Sequence, residues 1–140
     1  MTPEITVTND LDACLHIRRI VFIEEQGVSE ADEVDGLDDQ AVQFLATDNG
    51  QPVGTARMLI KGGDAKVGRV AVLKERRGIG LGAALIRATV SYAAQTPGVN
   101  RVVLGAQTHA IGFYEQLGFS AFGPVYDDAG IPHRDMDIPV

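Results

Sequence analysis

The spacing of apolar positions along the chain predicts seven short strands and three helices. Alternation of apolar and polar residues is typical of half-buried strands, whereas apolar residues three and four positions apart are typical of helices. The predicted strands cover residues 5–8, 41–47, 52–60, 67–73, 101–106, 119–125 and 133–138. The predicted helices cover residues 11 to about 22, 81–95 and 109–116.

Turn signals between these segments indicate how the strands follow one another. Asn49-Gly50 is a hairpin signal between the second and third strands, and Gly62-Gly63 turns the chain into the fourth. These three strands form an antiparallel meander. A helix then separates strand 67–73 from strand 101–106, and a right-handed crossover of this kind makes the two strands parallel. The pattern therefore predicts a mixed, mostly antiparallel sheet.

Composition excludes several classes of protein. The chain has 140 residues and a net charge of -7, so we expect one domain covering residues 1–140 and no nucleic-acid partner. No apolar run approaches the roughly 18 residues that cross a membrane, and the first residues lack the features of a signal peptide. The single Cys14 excludes an internal disulfide and is expected to fill the core. We therefore expect a cytoplasmic protein without a membrane partner.

A glycine-rich segment joins the fourth predicted strand to the second predicted helix. It reads Arg77-Gly78-Ile79-Gly80-Leu81-Gly82. Glycines before a helix leave backbone N–H groups unpaired, and the helix N-terminus adds about +0.5 charge, so such a segment is suited to bind phosphate. A nucleoside-triphosphate loop is excluded because no Lys-Ser/Thr pair follows Gly82.

Two further phosphate-binding patterns match this segment. Gly78, Gly80 and Ala83 match the dinucleotide fingerprint G-x-G-x-x-A. The context of that fingerprint is wrong, because charged residues separate the strand from the glycines and the acidic residue expected about 20 positions later is missing. Arg77, Gly80 and Gly82 match the pattern Arg-x-x-Gly-x-Gly instead. A dinucleotide-dependent enzyme is therefore the least favoured alternative.

The segment from Ile20 to Ala56 is acidic and contains no Lys or Arg. Its nine acids are Glu24, Glu25, Glu30, Asp32, Glu33, Asp35, Asp38, Asp39 and Asp48. One interpretation is a solvated acidic loop, and the other is a wall that attracts a cationic amine and supplies a general base. Both interpretations stay open, because only one or two of the nine acids would need to face a site. The scattered histidines and Cys14 give no ligand spacing, so no metal site is expected.

A second motif gives the Arg-x-x-Gly-x-Gly segment its context. Phe113-Tyr114-Glu115-Gln116-Leu117-Gly118-Phe119 resembles the FYEKLGF segment of the GNAT family of N-acetyltransferases, and it follows the glycine segment at the usual separation. Segments 22–28, 35–38 and 130–133 resemble the ElaA-like or YjcF-like bacterial branch of that family. The resemblance implies a layered α+β fold, with a mixed sheet of about six or seven strands flanked by about four helices.

The resemblance also implies where acetyl-CoA binds. In this family, the strands that match residues 67–73 and 101–106 splay into a V, and the pantetheine arm lies between them. The implied acetyl-CoA contacts are Val70, Ala71, Val72, Arg77, Gly78, Ile79, Gly80, Leu81, Gly82, Phe113 and Tyr114, with Lys74 and Arg76 adding positive charge. A backbone N–H near Val72 is expected to hold the thioester oxyanion.

Acetyl transfer to an amine requires a general acid and a general base. A phenol has a pKa near 10, so Tyr114 stays protonated at neutral pH and is expected to protonate the departing thiolate. The candidate bases are Glu24, Glu25, Asp35, His109, His133 and Asp135, and Glu25 and His133 are preferred because both lie in segments that resemble the bacterial branch. The expected acceptor contacts are Glu24, Glu25, Gln107 and His133, although Gln107 could instead cap the following helix.

The function implied by the resemblance is N-acetylation. We expect direct transfer of the acetyl group from acetyl-CoA to a primary amine of a small molecule or peptide, in a ternary complex. The alternative is a non-catalytic acyl-CoA-binding module of the same fold. A homodimer is what the family often forms.

Overall fold

A seven-stranded sheet runs through the computed structural model, which describes residues 3–140. The strands are β1 (Glu4–Thr8), β2 (Val42–Asp48), β3 (Gln51–Lys61), β4 (Asp64–Val72), β5 (Arg101–Gln107), β6 (Ser120–Asp128) and β7 (Ile131–Pro139). Their spatial order is β1-β2-β3-β4-β5-β7-β6, and every neighbouring pair is antiparallel except β4 and β5. The predicted mixed, mostly antiparallel sheet is confirmed.

Helices connect the strands on both sides of this sheet. Within residues 3–140 they are α1 (Leu11–Arg18), a π-helix (Arg19–Glu25), α2 (Glu30–Glu33), α3 (Leu81–Ala94) and α4 (Ile111–Gln116). Asp10 caps α1, because its carboxylate accepts a hydrogen bond from the N–H of Ala13 at 3.1 Å. The helix predicted to reach about residue 22 changes after Arg18 into the wider π-helix. No helix of the described chain is long and apolar enough to cross a membrane.

Helices cover opposite faces of the sheet. Leu85 of α3 belongs to a buried cluster that contains Phe44 of β2. Ile17 of α1 belongs to a second cluster that contains the next residue of that strand, Leu45. Successive residues of a strand point to opposite faces, so α3 and α1 lie on the two sides of the sheet. Cys14 is fully buried in the second cluster, which confirms its predicted place in the core.

The parallel strands β4 and β5 separate part-way along their length. The last pair is Val67 opposite Leu104, and no pairing follows. Just beyond it, Arg69 and Val70 of β4 stand opposite the single residue Ala56 of β3. Arg69 has a φ of 50°, in the left-handed region that a non-glycine residue rarely adopts. Such a β-bulge bends its strand, so the end of β4 turns away from β5. The predicted splay is confirmed.

Candidate active site

The unpaired edge of β4 forms one wall of the cleft between β4 and β5. The N–H of Leu73 donates to the carbonyl of Val53 on β3 at 3.0 Å. Because hydrogen-bonding groups alternate in direction along an antiparallel strand, those of Val72 point the other way, into the cleft. Ala71 pairs with β3 and its side chain is buried. The predicted pantetheine contact at Ala71 therefore needs correction, because its backbone faces β3; Val70 and Val72 border the cleft.

The glycine segment lies at the N-terminus of α3. Gly80 directly precedes the helix with a φ of 82°, and no side chain caps the first turn. The first N–H groups of α3 are therefore free to bind an anion. Gly78 also has a positive φ, and a Cβ atom on either glycine would meet no heavy atom within 4 Å. The segment is thus open, with the side chain of Ile79 63% exposed.

Arg77 is fixed between the glycine segment and the π-helix. Its Nε donates to the carbonyl of Val72 at 3.0 Å, and its terminal nitrogens bind both oxygens of Glu25, with the longer bond at 2.7 Å. The hydrogen bond from Arg77 lowers the pKa of Glu25, and Glu25 in turn raises the pKa of Arg77. Glu25 therefore lies at the glycine-segment end of the cleft and is held as a carboxylate. Arg76 pairs with Asp48 instead.

A cavity of about 570 Å³ opens beside the cleft. The π-helix, α2, α4 and strands β3 to β7 all contribute residues to its wall. The predicted site residues that line it are Val70, Gln107, Tyr114 and His133, together with the candidate base Asp35. The other two predicted acceptor contacts, Glu24 and Glu25, do not belong to its lining. The cavity therefore joins the open edge of β4 to residues from β5, α4 and β7.

His133 presents one ring nitrogen that is available to the cavity. Its side chain lines the cavity and is only 8% exposed. The Nδ1 atom lies 2.7 Å from the carbonyl oxygen of Ile131. A carbonyl oxygen can only accept, so Nδ1 is the donor in this contact, and a ring with its single proton on Nδ1 has its lone pair on Nε2. No hydrogen bond within residues 3–140 engages that Nε2 atom.

Tyr114 lies at the cavity with its hydroxyl unused. Its ring contacts Phe113 and Phe119 in edge-to-face geometry, with centroids 5.0 and 5.9 Å away. Burial raises the pKa of Tyr114 above its ordinary value of 10.0. Within residues 3–140 its hydroxyl forms no hydrogen bond. The half-exposed Phe113 also approaches the glycine segment, since a Cβ atom on Gly82 would lie 3.8 Å from it.

Gln107 is oriented by two neighbours. The Nε2 atom of His109 lies 2.7 Å from its Oε1, and its own amide donates to Gln26 at 3.4 Å. An amide oxygen only accepts, so His109 Nε2 is a donor here and holds Gln107 in place. His109 itself does not line the cavity. Among residues 3–140 no group of three or more His, Cys, Asp or Glu side chains could hold a metal ion, and a metal-free site stays a prediction.

Most acids of the segment 20–56 bind arginines. Those in ion pairs are Glu25, Glu30, Glu33, Asp35, Asp38 and Asp48. The fully buried Arg18 donates to Glu33 at 2.6 Å and to Asp38 at 2.7 Å. Glu33 is only 3% exposed, so the solvated-loop interpretation is wrong for these two acids. Of the three acids left over, Glu24, Asp32 and Asp39, only Asp32 lines the cavity.

Two arginines of the sheet extend this network to the cavity wall. Arg57 of β3 binds Asp35 at 2.6 Å and Asp38 at 3.3 Å. Arg69, on the bulge of β4, binds Asp35 at 3.3 Å and the carbonyl of Glu33 at 3.0 Å. The bond from Arg57 places the pKa of Asp35 far below its usual range, so Asp35 is a poor base.

Sequence reasoning missed Tyr126, Arg57 and Arg69, which all line the cavity. The two arginines bind acids more than 18 residues away in the sequence, and no local pattern reveals such pairs. Tyr126 stands opposite His133 in the pairing of β6 with β7. Side chains of directly opposed residues share a face, so pairing the last two predicted strands could have found Tyr126.

A splayed parallel pair, an open glycine segment before a helix and an adjoining cavity together define an acyltransferase. The family model described as an acetyltransferase (GNAT) domain matches residues 22–140. The chain therefore belongs to the GNAT acetyltransferase family. This confirms the resemblance on which the sequence analysis relied.

Relatives of the predicted branch are among the proteins similar to this chain. It is 42% identical to YyaT of Bacillus subtilis over 92% of this chain and 88% of that protein. It is 35% identical to the N-acetyltransferase YjcF of the same organism, over 90% of each chain. It is 34% identical to ElaA of Escherichia coli, over 91% of this chain and 86% of that protein. The predicted ElaA-like or YjcF-like branch is confirmed.

Solved structures of the same fold include acyltransferases. An acyl-CoA N-acyltransferase from Pseudomonas aeruginosa superposes with a TM-score of 0.87 at 31% identity, over 97% of this chain and 99% of that one. An aminoglycoside 6′-N-acetyltransferase complexed with coenzyme A has a TM-score of 0.78 at 17% identity, over 97% and 96% of the two chains. At this low identity, the comparison with the aminoglycoside acetyltransferase shows only that the two proteins share a fold.

Proposed function

We propose that this protein transfers the acetyl group of acetyl-CoA to a primary amine of a small molecule or peptide. The observation that carries the proposal is the unpaired edge of β4, which borders the cavity at Val70 and leads to the open N-terminus of α3. An extended amide chain can add to such an edge as a further strand would. If that chain is the pantetheine arm of coenzyme A, the phosphates of the coenzyme would reach the free N–H groups at residues 78–82.

The donor is proposed to bind along this path. Pantetheine amides pair with the groups of β4 that face the cleft, and a backbone N–H of β4 near Val72 donates to the thioester carbonyl as negative charge develops on it. The pyrophosphate binds the glycine segment and Arg77, and Phe113 flanks the arm. The coenzyme A complex of the aminoglycoside acetyltransferase shares this fold and supports the choice of donor.

The proposed chemistry uses two residues of the cavity wall. The amine nitrogen attacks the thioester carbon, a C–N bond forms and the C–S bond breaks. The Nε2 lone pair of His133 takes the proton of the amine, directly or through one water, and Tyr114 gives its hydroxyl proton to the departing thiolate. His133 is preferred to Glu25 because it lines the cavity, whereas Glu25 is bound to Arg77 and its pKa is lowered.

Donor binding is tested first, with a matched pair of variants. We expect acetyl-CoA or CoA at millimolar concentration to raise the thermal unfolding midpoint of the wild type, since a ligand that binds only the folded state stabilises it. Gly80→Glu should abolish this shift by placing a carboxylate among the phosphate-binding N–H groups. Gly98→Glu adds the same charge at a similar φ of 86°, in the turn after α3, and should keep the shift. An unshifted wild type contradicts the proposal.

Turnover is tested by release of free thiol from acetyl-CoA over a panel of amines. Release that depends on the amine identifies an enzyme, whereas binding without release on any amine class identifies the non-catalytic acyl-CoA-binding alternative. Mass spectrometry of the product should show the acetyl group on nitrogen.

A further inference from the structure

Tyr126 closes the cavity at the point where β4 and β5 separate. Gly105 is the first residue of β5 beyond the last pair, Val67 opposite Leu104. A Cβ atom on Gly105 would lie only 2.4 Å from the hydroxyl oxygen of Tyr126. A side chain at position 105 would therefore have to displace the phenol of Tyr126. The hydroxyl of Tyr126 thus occupies the space directly over the apex of the splay.

Two contacts hold the side chain of Tyr126 in this position, one through its hydroxyl and one through its ring. Its hydroxyl donates to Asp135 at 2.8 Å, and Asp135 stands opposite Gly105 in the pairing of β5 with β7. Its ring stacks on the imidazole of His133, with a centroid distance of 6.0 Å and an interplanar angle of 24°. The side chain therefore reaches from the edge strand β6 across β7 to β5, and it forms a polar wall.

The opposite side of the apex is open but leads to charged groups. Gly68 is the first residue of β4 beyond the last pair, and a Cβ atom on it would meet nothing within 4 Å. It stands opposite Arg57, which is bound to Asp35. The neighbouring Arg69 also binds Asp35. An apolar chain in this direction would cover ion-paired groups and remove them from water, which is unfavourable.

We infer that Tyr126 determines which acyl donors the protein accepts, and that it restricts them to acetyl or similarly short groups. The inference rests on the proposed function and adds to it that the acyl group points along β4 toward the place where β4 and β5 separate. A short acyl group ends before it reaches either wall. A longer apolar chain meets the Tyr126–Asp135 pair on the β5 side and ion-paired arginines on the β4 side.

The test compares acetyl-CoA with hexanoyl-CoA by calorimetric titration of the full chain. The measured quantity is the ratio of the hexanoyl-CoA to the acetyl-CoA dissociation constant. We expect a ratio above one for the wild type and a ratio about tenfold lower for Tyr126→Ala, because the truncation empties the space over Gly105 and methylenes that enter this space leave water. Tyr126→Phe, which removes only the hydroxyl over Gly105, should lower the ratio by a smaller factor. Both variants change an exposed edge-strand side chain and should fold.

A neighbouring aromatic residue supplies the control. Phe122 is on the same strand, is 37% exposed like Tyr126, and lies under Arg101 outside the cavity lining. Phe122→Ala should keep the wild-type ratio. If Tyr126→Ala binds acetyl-CoA and also keeps that ratio, the inference is wrong while the proposed function stands. If the wild type binds no CoA thioester at all, the proposed function fails and the inference falls with it.

Discussion

At the scale of single residues, Tyr114 is in a form that suits a general acid. Burial raises its pKa, so its hydroxyl is protonated throughout the neutral range. We expect Tyr114→Phe to lower kcat by about 10²- to 10⁴-fold, the usual contribution of a positioned acid, and to leave the dissociation constant of acetyl-CoA unchanged. Thiol-release kinetics and calorimetry measure the two quantities. Tyr92→Phe, on the exposed face of α3, is the control, and wild-type turnover in Tyr114→Phe would show that the acid is elsewhere.

The same pKa shift predicts how activity responds to alkaline pH. A general acid works only while it is protonated, and loss of the proton begins near its pKa. Because the pKa of Tyr114 is raised above its usual 10.0, this residue should cause no fall in kcat as the pH rises toward that value. A pH profile of kcat on a saturating amine tests the expectation. A Tyr114-dependent fall well below pH 10 would contradict it.

Glu25 is bound to Arg77, the side chain that is proposed to bind the pyrophosphate. Its two oxygens bind the terminal nitrogens of Arg77 as phosphate oxygens would. CoA must therefore displace a carboxylate, and Glu25→Gln should lower the dissociation constant of CoA by removing this competitor. The neighbouring Glu24 forms no ion pair within the described chain, so Glu24→Gln is the matched control for charge. Weaker CoA binding in Glu25→Gln would show that Glu25 orients Arg77 for the ligand.

At the scale of elements, ion pairs as well as packing hold the short helix α2 in place. Glu33 of α2 and the fully buried Arg18 of α1 form one ion pair, whereas Glu30 of α2 and Arg19 form an exposed one. Glu33→Gln removes one of the two carboxylates that bind this buried guanidinium, while Asp38 remains, and should lower the free energy of unfolding by about 3 kcal/mol. Glu30→Gln should lower it by about 0–1 kcal/mol. Urea unfolding measures both, and equal losses would contradict the buried network.

Acid should weaken this network, because its carboxyl groups Asp35 and Asp38 have lowered pKa values in the folded state. The hydrogen bond from Arg57 lowers the pKa of Asp35. Burial acts to raise the pKa of Asp38, but the hydrogen bonds from Arg18 and Gln43 and the charges of Arg18 and Arg57 together outweigh it, so the pKa is lowered. A carboxyl group with a lower pKa in the folded state stabilises the fold above its unfolded pKa, about 3.9, and loses this contribution as pH falls below it. Unfolding free energies measured between neutral pH and about pH 3 should therefore decline.

The elements themselves differ in how far sequence could predict them. β2, β3 and β5 follow apolar alternation and agree with their predicted ranges within one residue. β4 begins at Asp64, before its predicted start at Val67, because residues 64–66 pair with both β3 and β5. The π-helix and the bulge at Arg69 carry no sequence signal, since tertiary contacts impose both backbone forms.

At the scale of the whole molecule, local motifs indicated the glycine segment and the edge of β4 that are proposed to bind the donor, whereas they missed much of the cavity wall that is proposed to bind the acceptor. The glycine segment and the edge of β4 are contiguous in sequence, so their chemistry could be read directly. The cavity wall gathers Arg57, Gln107, Tyr126 and His133 from four separate strands. Only strand pairing brings those residues together, and the pairing that matters places β7 between β5 and β6.

That strand order has a consequence for protein synthesis. β7 follows β6 along the chain, yet it pairs with both β5 and β6, and only β7 sets His133 opposite Gln107. The ribosome synthesises β4 and the glycine segment well before β7, and a domain folds as a unit. A nascent chain therefore cannot place His133 beside Gln107 until β7 has emerged. The cavity proposed for the acceptor is completed only when this strand has inserted between two that were made before it.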